Sequence, residues 1–175
     1  MKTPEQLKGA VRNIAKQNNL MPQEVLQMFF FERILERLSV SKYKNTFILK
    51  GGLLISSMIG ISERTTRDMD TTVRDIPMKE EVIYDIVKEI CSIDVGDGIE
   101  FEFRKMESIR EDDDYNNFRI HLQAVYGKVN NPMKIDITTG DKITPAAIEY
   151  SYKMMFEDKN VPVMAYTLVE RSLIS

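Results

Sequence analysis

Three consecutive stretches in the second half of the chain alternate apolar and polar residues along their whole length: "IEFEFRKM" (Ile99 to Met106), "FRIHLQAVY" (Phe118 to Tyr126) and "MKIDIT" (Met133 to Thr138). Side chains two apart share one face of a strand, so each stretch carries an apolar face and a polar face. The links between them, "EDDDYNN" and "GKVNNP", have turn-forming composition. These features predict an antiparallel sheet with one face to be covered by something else in the chain.

The cover is expected to be helical. Thr3-Pro4-Glu5-Gln6 reads as an N-cap, a first-turn proline and a capping-box partner, followed by Leu7, Ala10, Val11 and Ile14 at helical spacing. "NNLMPQEV" ends that helix and begins a second, in which Phe31, Ile34, Leu35 and Leu38 mark a buried face widened by Met28, Phe29 and Phe30. Val82, Ile83, Ile86, Val87 and Ile90 give a further amphipathic helix. "TFILK" (Thr46 to Lys50) and Met69 to Val73 read as short strands, with a helix over 53–59 between them. Thr144-Pro145 reads as another helix start, "VPVMA" as a strand, and Thr167 to Glu170 as a capping box five residues before Ser175. So short a capped helix needs tertiary support, which leads us to expect that the chain is cut where a helical part begins. The expected fold class is α+β, a mixed or antiparallel sheet flanked by helices. Residues 1–45 would form a helical segment packed on a core spanning 46–166, and 167–175 would open a truncated C-terminal helical region.

At 175 residues the chain has the length of one domain. A net charge of −3 gives no global attraction to nucleic acid. The single Cys91 and single His121 exclude an intramolecular disulfide and a Cys/His zinc centre, so a bound metal would have to be a hard, oxygen-ligated ion such as Mg²⁺ or Mn²⁺. No apolar run reaches transmembrane length and the N-terminus lacks a signal peptide's apolar region, so the chain reads as cytoplasmic with no membrane partner.

Asp68 and Asp70 flank Met69, which places both carboxylates on one face of a strand and Met69 in the core. Two carboxylates so close repel unless a cation lies between them; a solvated loop edge is the plain alternative. In "MKIDIT", Lys134, Asp136 and Thr138 occupy the polar face. A strand bringing Asp136 beside Asp68 and Asp70 would complete a cage for two divalent ions. Gly51-Gly52, between a strand and a helix, suits backbone N–H groups cradling a phosphate, or an ordinary tight turn. Thr66 either steadies the loop or touches phosphate, Arg64 pairs with an aspartate or with a nucleotide, and Lys134 neutralises phosphate or carboxylate. Asp141 reads as a turn residue, His121 as a sheet residue, and Glu111 to Asp114 as a solvated hairpin tip.

"ILKGGLL…RTTRDMDTTV…KIDITTGD" resembles the polymerase β-like nucleotidyltransferases and, more closely, the AbiEii/AbiGii toxin family of type IV toxin–antitoxin and phage-defence systems. The likeness rests on GGxxL at Gly51 to Leu54, RTTxDxD at Arg64 to Asp70, KIDI from Lys134 and Gly140-Asp141, and runs from about Phe29 to the end of the chain. It departs at "AYTLVERSLIS", where family members continue into a Glu-Lys-containing helix and a helical domain. The resemblance implies Mg²⁺-dependent transfer of a nucleoside monophosphate from an NTP to an acceptor hydroxyl, on RNA such as tRNA or on protein. Asp68, Asp70 and Asp136 would be catalytic and metal-binding; Gly51, Gly52, Arg64, Thr66 and Lys134 would bind the nucleotide. It also implies a cognate antitoxin without a stable complex. Two other classes stay open: a non-catalytic nucleotide- or partner-binding module, and a metal-dependent phosphohydrolase.

Overall fold

A computed structural model of the chain describes residues 3–51, 54, 68–112, 115–139 and 147–166. The expected α+β architecture is present. Three helices among these residues, α1 (Pro4–Asn18), α2 (Pro22–Ser39) and α3 (Glu80–Cys91), accompany one seven-stranded mixed sheet. The strands are β1 (Phe47–Lys50), β2 (Asp68–Val73), β3 (Glu100–Asp112), β4 (Tyr115–Tyr126), β5 (Val129–Thr139), β6 (Ala147–Lys153) and β7 (Asn160–Tyr166). Their spatial order is β3-β4-β5-β2-β1-β7-β6. The β3-β4-β5 meander is antiparallel throughout, whereas β2 runs parallel to β5 and β1 parallel to β7.

Local chemistry sets the ends of these elements. Thr3 Oγ1 accepts from the Gln6 amide at 3.2 Å and Gln6 Oε1 accepts from the Thr3 amide at 3.0 Å, closing the expected capping box. The β4–β5 hairpin turns on Gly127-Lys128, pairing Tyr126 with Val129, and Gly127 takes a φ of +59° that suits glycine in a two-residue turn. "VNNP" therefore lies in β5 rather than in the link. Strands β3 and β4 meet through the pair Asp112 and Tyr115, at the acidic tip.

Helices α2 and α3 pack on one face of the sheet: Ile34, Leu38, Val87 and Ile90 face Phe47, Met69, Leu122, Ile135 and Ile137. Asp68, Asp70, Lys134, Asp136 and Thr138 alternate with those core residues and so lie on the opposite face. No described helix is long and apolar enough to cross a membrane.

One expectation is corrected. Residues 147–153 form β6, an edge strand paired antiparallel with β7, where a helix had been expected from Thr144-Pro145. Ile148, Tyr150 and Tyr152 alternate, and β7 pairing decides the conformation over any helical cap. Helix α2 is buried at polar positions as well as at its apolar ones: Glu32, Arg33, Glu36 and Arg37 are all enclosed. The β6–β7 hairpin and the loop before β3 cover them with partners. Arg37 forks onto Asp97 at 2.9 and 2.8 Å and donates to the carbonyls of Ile93, Ile99 and Arg33. Arg33 pairs with Glu36 and Glu157, and Lys159 with Glu36. The helix expected over 53–59 lies outside the described residues apart from Leu54, which is helical and buried. The end region 167–175 lies outside them altogether.

Glu32 accepts from the Met155 amide at 2.9 Å and from the Tyr152 hydroxyl at 3.3 Å. Burial nevertheless outweighs these bonds and pushes its carboxyl up to about 7. The folded state thus holds a proton that the unfolded chain has released above about 4.5. The stability this contributes is complete below that value and lost as pH rises through 7, on the order of a few kcal/mol. Glu32→Gln keeps the acceptor and abolishes the titration. Its Tm minus that of the wild type is expected to climb between pH 4.5 and 7.5 and level off above; a pH-independent difference in thermal melts would refute this.

Candidate active site

The polar face of the central strands carries a single rung of charged residues. Reading across the sheet, Lys50 on β1 pairs with Asp70 on β2, Asp70 with Asp136 on β5, Asp136 with Arg119 on β4, and Arg119 with Glu107 on β3. The parallel β2–β5 register sets Asp70 directly beside Asp136, about 4.8 Å apart at the strand spacing. One step back, Asp68 stands beside Lys134; one step forward, Thr72 stands beside Thr138.

A cation flanks the Asp70–Asp136 pair on each side. Lys50 Nζ donates to Thr138 Oγ1 at 2.9 Å, and the Thr138 and Thr72 hydroxyls lie 3.1 Å apart. Arg119 Nε donates to Asp136 Oδ1 at 2.8 Å, its Nη2 donates to Oδ2 at 3.3 Å, and the same nitrogen lies 4.0 Å from Asp68 Oδ2. These cations do not balance the centre. Burial raises the Asp70 carboxyl above the usual carboxylate range, and the charges of Asp136 and Asp68 push the same way against Lys50 and Arg119.

Gly51 closes β1 with a φ of +80°, on the left-handed side that favours glycine. A Cβ added there would lie 3.1 Å from Asp70 Cβ and Cγ, and closer still to Oδ2. The backbone of Gly51 is thus seated against the Asp70 carboxylate, and only a residue without a side chain allows it. Beside Asp68, a cavity of about 600 Å³ opens towards the start of α2, between Gln23, Gln27, Lys105, His121 and Lys134. Gln23 and Gln27 both hydrogen-bond Asn131, which is fully buried, fixing that wall to the start of β5.

The structure therefore brings together Asp68, Asp70, Asp136, Gly51 and Lys134 from the residues expected to form the site. Gly52, Arg64, Thr66 and Asp141 lie outside the described residues. His121 is a sheet residue, its Nε2 3.1 Å from Glu107 Oε1. Among the described residues no three His, Cys, Asp or Glu side chains are arranged to hold a metal ion as they stand, and Arg119 engages both oxygens of Asp136. The donor set itself suits a hard divalent ion: the candidate ligands are all carboxylate oxygens, and Asp70 is under-compensated by the cations around it.

Sequence reasoning missed Lys50, Thr72, Arg119 and Thr138. Lys50 directly precedes Gly51 in the quoted motif, and Arg119 falls on the polar parity of "FRIHLQAVY". Both could have been found by counting outward from the turns.

A family model describing the nucleotidyl transferase AbiEii toxin of type IV toxin–antitoxin systems matches residues 33–170, which contain both strands of the acidic rung. The chain belongs to that family. Two solved structures from Helicobacter pylori share 14% identity over 86% of this chain: JHP933, with a TM-score of 0.48, and a protein described as a candidate nucleotidyltransferase, with a TM-score of 0.49. The chain spans 55% and 56% of their lengths. Comparison with the curated proteins gave no significant match.

The fit of Gly51 to Asp70 can be measured in this AbiEii-family chain. Gly51→Ala is expected to cost about 1 to 3 kcal/mol for the backbone conformation alone, plus the displacement of the carboxylate. In an Asp70→Ala background the cost of Gly51→Ala should fall by at least about 0.5 kcal/mol in urea unfolding. Equal costs in both backgrounds would mean that the glycine serves its own backbone and not the aspartate.

Proposed function

We propose that this domain transfers a nucleoside monophosphate from an NTP to an acceptor hydroxyl, on RNA such as tRNA or on a protein, as the toxin of a type IV toxin–antitoxin system that acts in the cytoplasm in defence against phage. The observation that carries the reading is the register of β2 on β5, which sets Asp70 beside Asp136 with the Gly51 backbone against the Asp70 carboxylate. Membership of the AbiEii family supports it.

In this reading Asp68, Asp70 and Asp136 hold Mg²⁺ or Mn²⁺. Bound there, such ions would supply positive charge to a triphosphate and its departing pyrophosphate and would lower the pKa of an attacking hydroxyl. The chain's own groups do the rest. The acceptor oxygen forms its bond to the α-phosphorus as the bond to the pyrophosphate oxygen breaks, and the hydroxyl proton passes to the Asp136 carboxylate. Lys50, beside Asp70 in register, supplies a fixed positive charge for the phosphates. Gly51 and Gly52 let the chain approach the β- and γ-phosphates closely, with Arg64, Thr66 and Lys134 as further nucleotide contacts. The cavity beside Asp68 has room for a nucleoside next to the carboxylates. The cognate antitoxin is a partner in the genetic sense, with no stable complex.

The test combines Mg²⁺, each NTP labelled at the α-phosphate, and total RNA, with the Asp68→Ala/Asp70→Ala variant in parallel. Label should move to an acceptor with the wild type and fall at least about 100-fold in the variant, the scale of losing a group that stabilises transition-state charge. Nucleotide binding with no transfer would instead identify a binding module, and phosphate release with no labelled acceptor a phosphohydrolase.

A further inference from the structure

The acidic face already contains a cation of the protein's own. Arg119 uses two nitrogens on the two oxygens of Asp136 and extends one of them to 4.0 Å from Asp68. One guanidinium is therefore shared between two of the three carboxylates that the preceding reading gives to a divalent ion. The fork takes a lone pair on each oxygen of Asp136, and its positive charge repels a metal ion approaching the pairs that remain.

This ion pair differs from the Arg37–Asp97 fork beneath the sheet. In the Arg37–Asp97 pair the side chains are 1% and 4% exposed, and three backbone carbonyls complete the shell of Arg37. In the Arg119–Asp136 pair they are 33% and 21% exposed. A pair partly open to water is screened and contributes less than an enclosed one, so breaking it costs less than breaking Arg37–Asp97. Its geometry is still enforced, because the antiparallel β4–β5 register sets Arg119 opposite Asp136, and Glu107 faces Arg119 from β3. The arginine is thus held in place and weakly bound at once, which suits an exchangeable counter-ion and not a structural clamp.

We propose that Arg119 is the resident counter-ion of the site: it neutralises Asp136 and Asp68 in the metal-free protein, and it competes with a divalent ion for Asp136. Arg119 thereby sets the metal affinity of the site as a positioning residue. The inference rests on the assignment of these carboxylates to metal.

The test measures Mn²⁺ binding by electron paramagnetic resonance or calorimetry, without nucleotide, on the wild type, Arg119→Gln, Arg119→Lys and Asp68→Ala/Asp70→Ala. Thermal melts are recorded with EDTA and with saturating Mn²⁺. Arg119→Gln should bind Mn²⁺ about tenfold more tightly, a change equivalent to about 1.4 kcal/mol. Its Tm in EDTA should fall below that of the wild type, and Mn²⁺ should restore it. Arg119→Lys, which keeps the charge but cannot fork, should fall between the two. Mn²⁺ binding unchanged or weakened in Arg119→Gln overturns this proposal alone. Absence of saturable binding in wild type and Arg119→Gln alike, or binding that survives in the double aspartate variant, overturns the metal assignment itself and this proposal with it.

Discussion

The rung Lys50–Asp70–Asp136–Arg119–Glu107 depends on one pairing, the parallel alignment of β2 with β5. Six consecutive residues of β2 are matched there, from Asp68 with Lys134 to Val73 with Thr139. A slip of one residue would turn Asp68 and Asp70 towards the helices and bring Met69 out. The register is held on both faces. Met69 and Ile135 interlock with the helical layer, while Thr71 donates to the Asp136 carbonyl at 3.1 Å and Thr138 to the Thr71 carbonyl at 3.3 Å. The hydrophobic layer thus fixes where two like charges must sit.

Helix α2 shows how the molecule secures that layer. It is buried on its polar positions as well as its apolar ones, yet Glu32, Glu36 and Arg37 each have enclosed partners. Arg37 engages Asp97 and three carbonyls, and its guanidinium lies 4.8 Å over the Phe101 ring. Such a network is unforgiving of a lost member, since a charge left alone in the interior is expensive. The acidic rung is more open, with the Arg119 and Asp136 side chains 33% and 21% exposed.

The parts of this arrangement legible in the sequence are those set by local periodicity. Alternation identified β3, β4 and β5, assigned Met69 to the core, and put Asp68, Asp70 and Asp136 on polar faces. The non-local pairings were less accessible. Nothing within "RDMDT" or "MKIDIT" states that these strands run parallel with Asp70 opposite Asp136, because more than sixty residues of chain separate them. The role of Arg119 was within reach. Once the hairpin turn is placed on Gly127-Lys128, counting outward from Tyr126 and Val129 leads to Arg119 opposite Asp136. Reading "GKVNNP" as one long link hid that register. The buried charges of α2 escaped for a different reason: helical spacing cannot tell a solvated face from one covered by a distant hairpin carrying its own counter-charges. Likewise Thr144-Pro145 suggested a helix where pairing with β7 makes residues 147–153 a strand.

Placing two carboxylates in one rung has a consequence for stability. Asp70 sits against the Gly51 backbone, and its burial and the facing charges of Asp136 and Asp68 oppose its ionisation. A sheet selected for stability alone would put threonine or valine there, as the next rung does with Thr72 and Thr138. Lys50 and Arg119 reduce the repulsion from the flanks, but neither lies between Asp70 and Asp136, the one position from which a cation would neutralise both at once. Among the described residues, the sheet therefore retains a charge conflict at its centre, backed by the packed helical layer on its other face. Such a local conflict within a globally consistent structure is what a ligand-binding site leaves behind when its ligand supplies the missing charge.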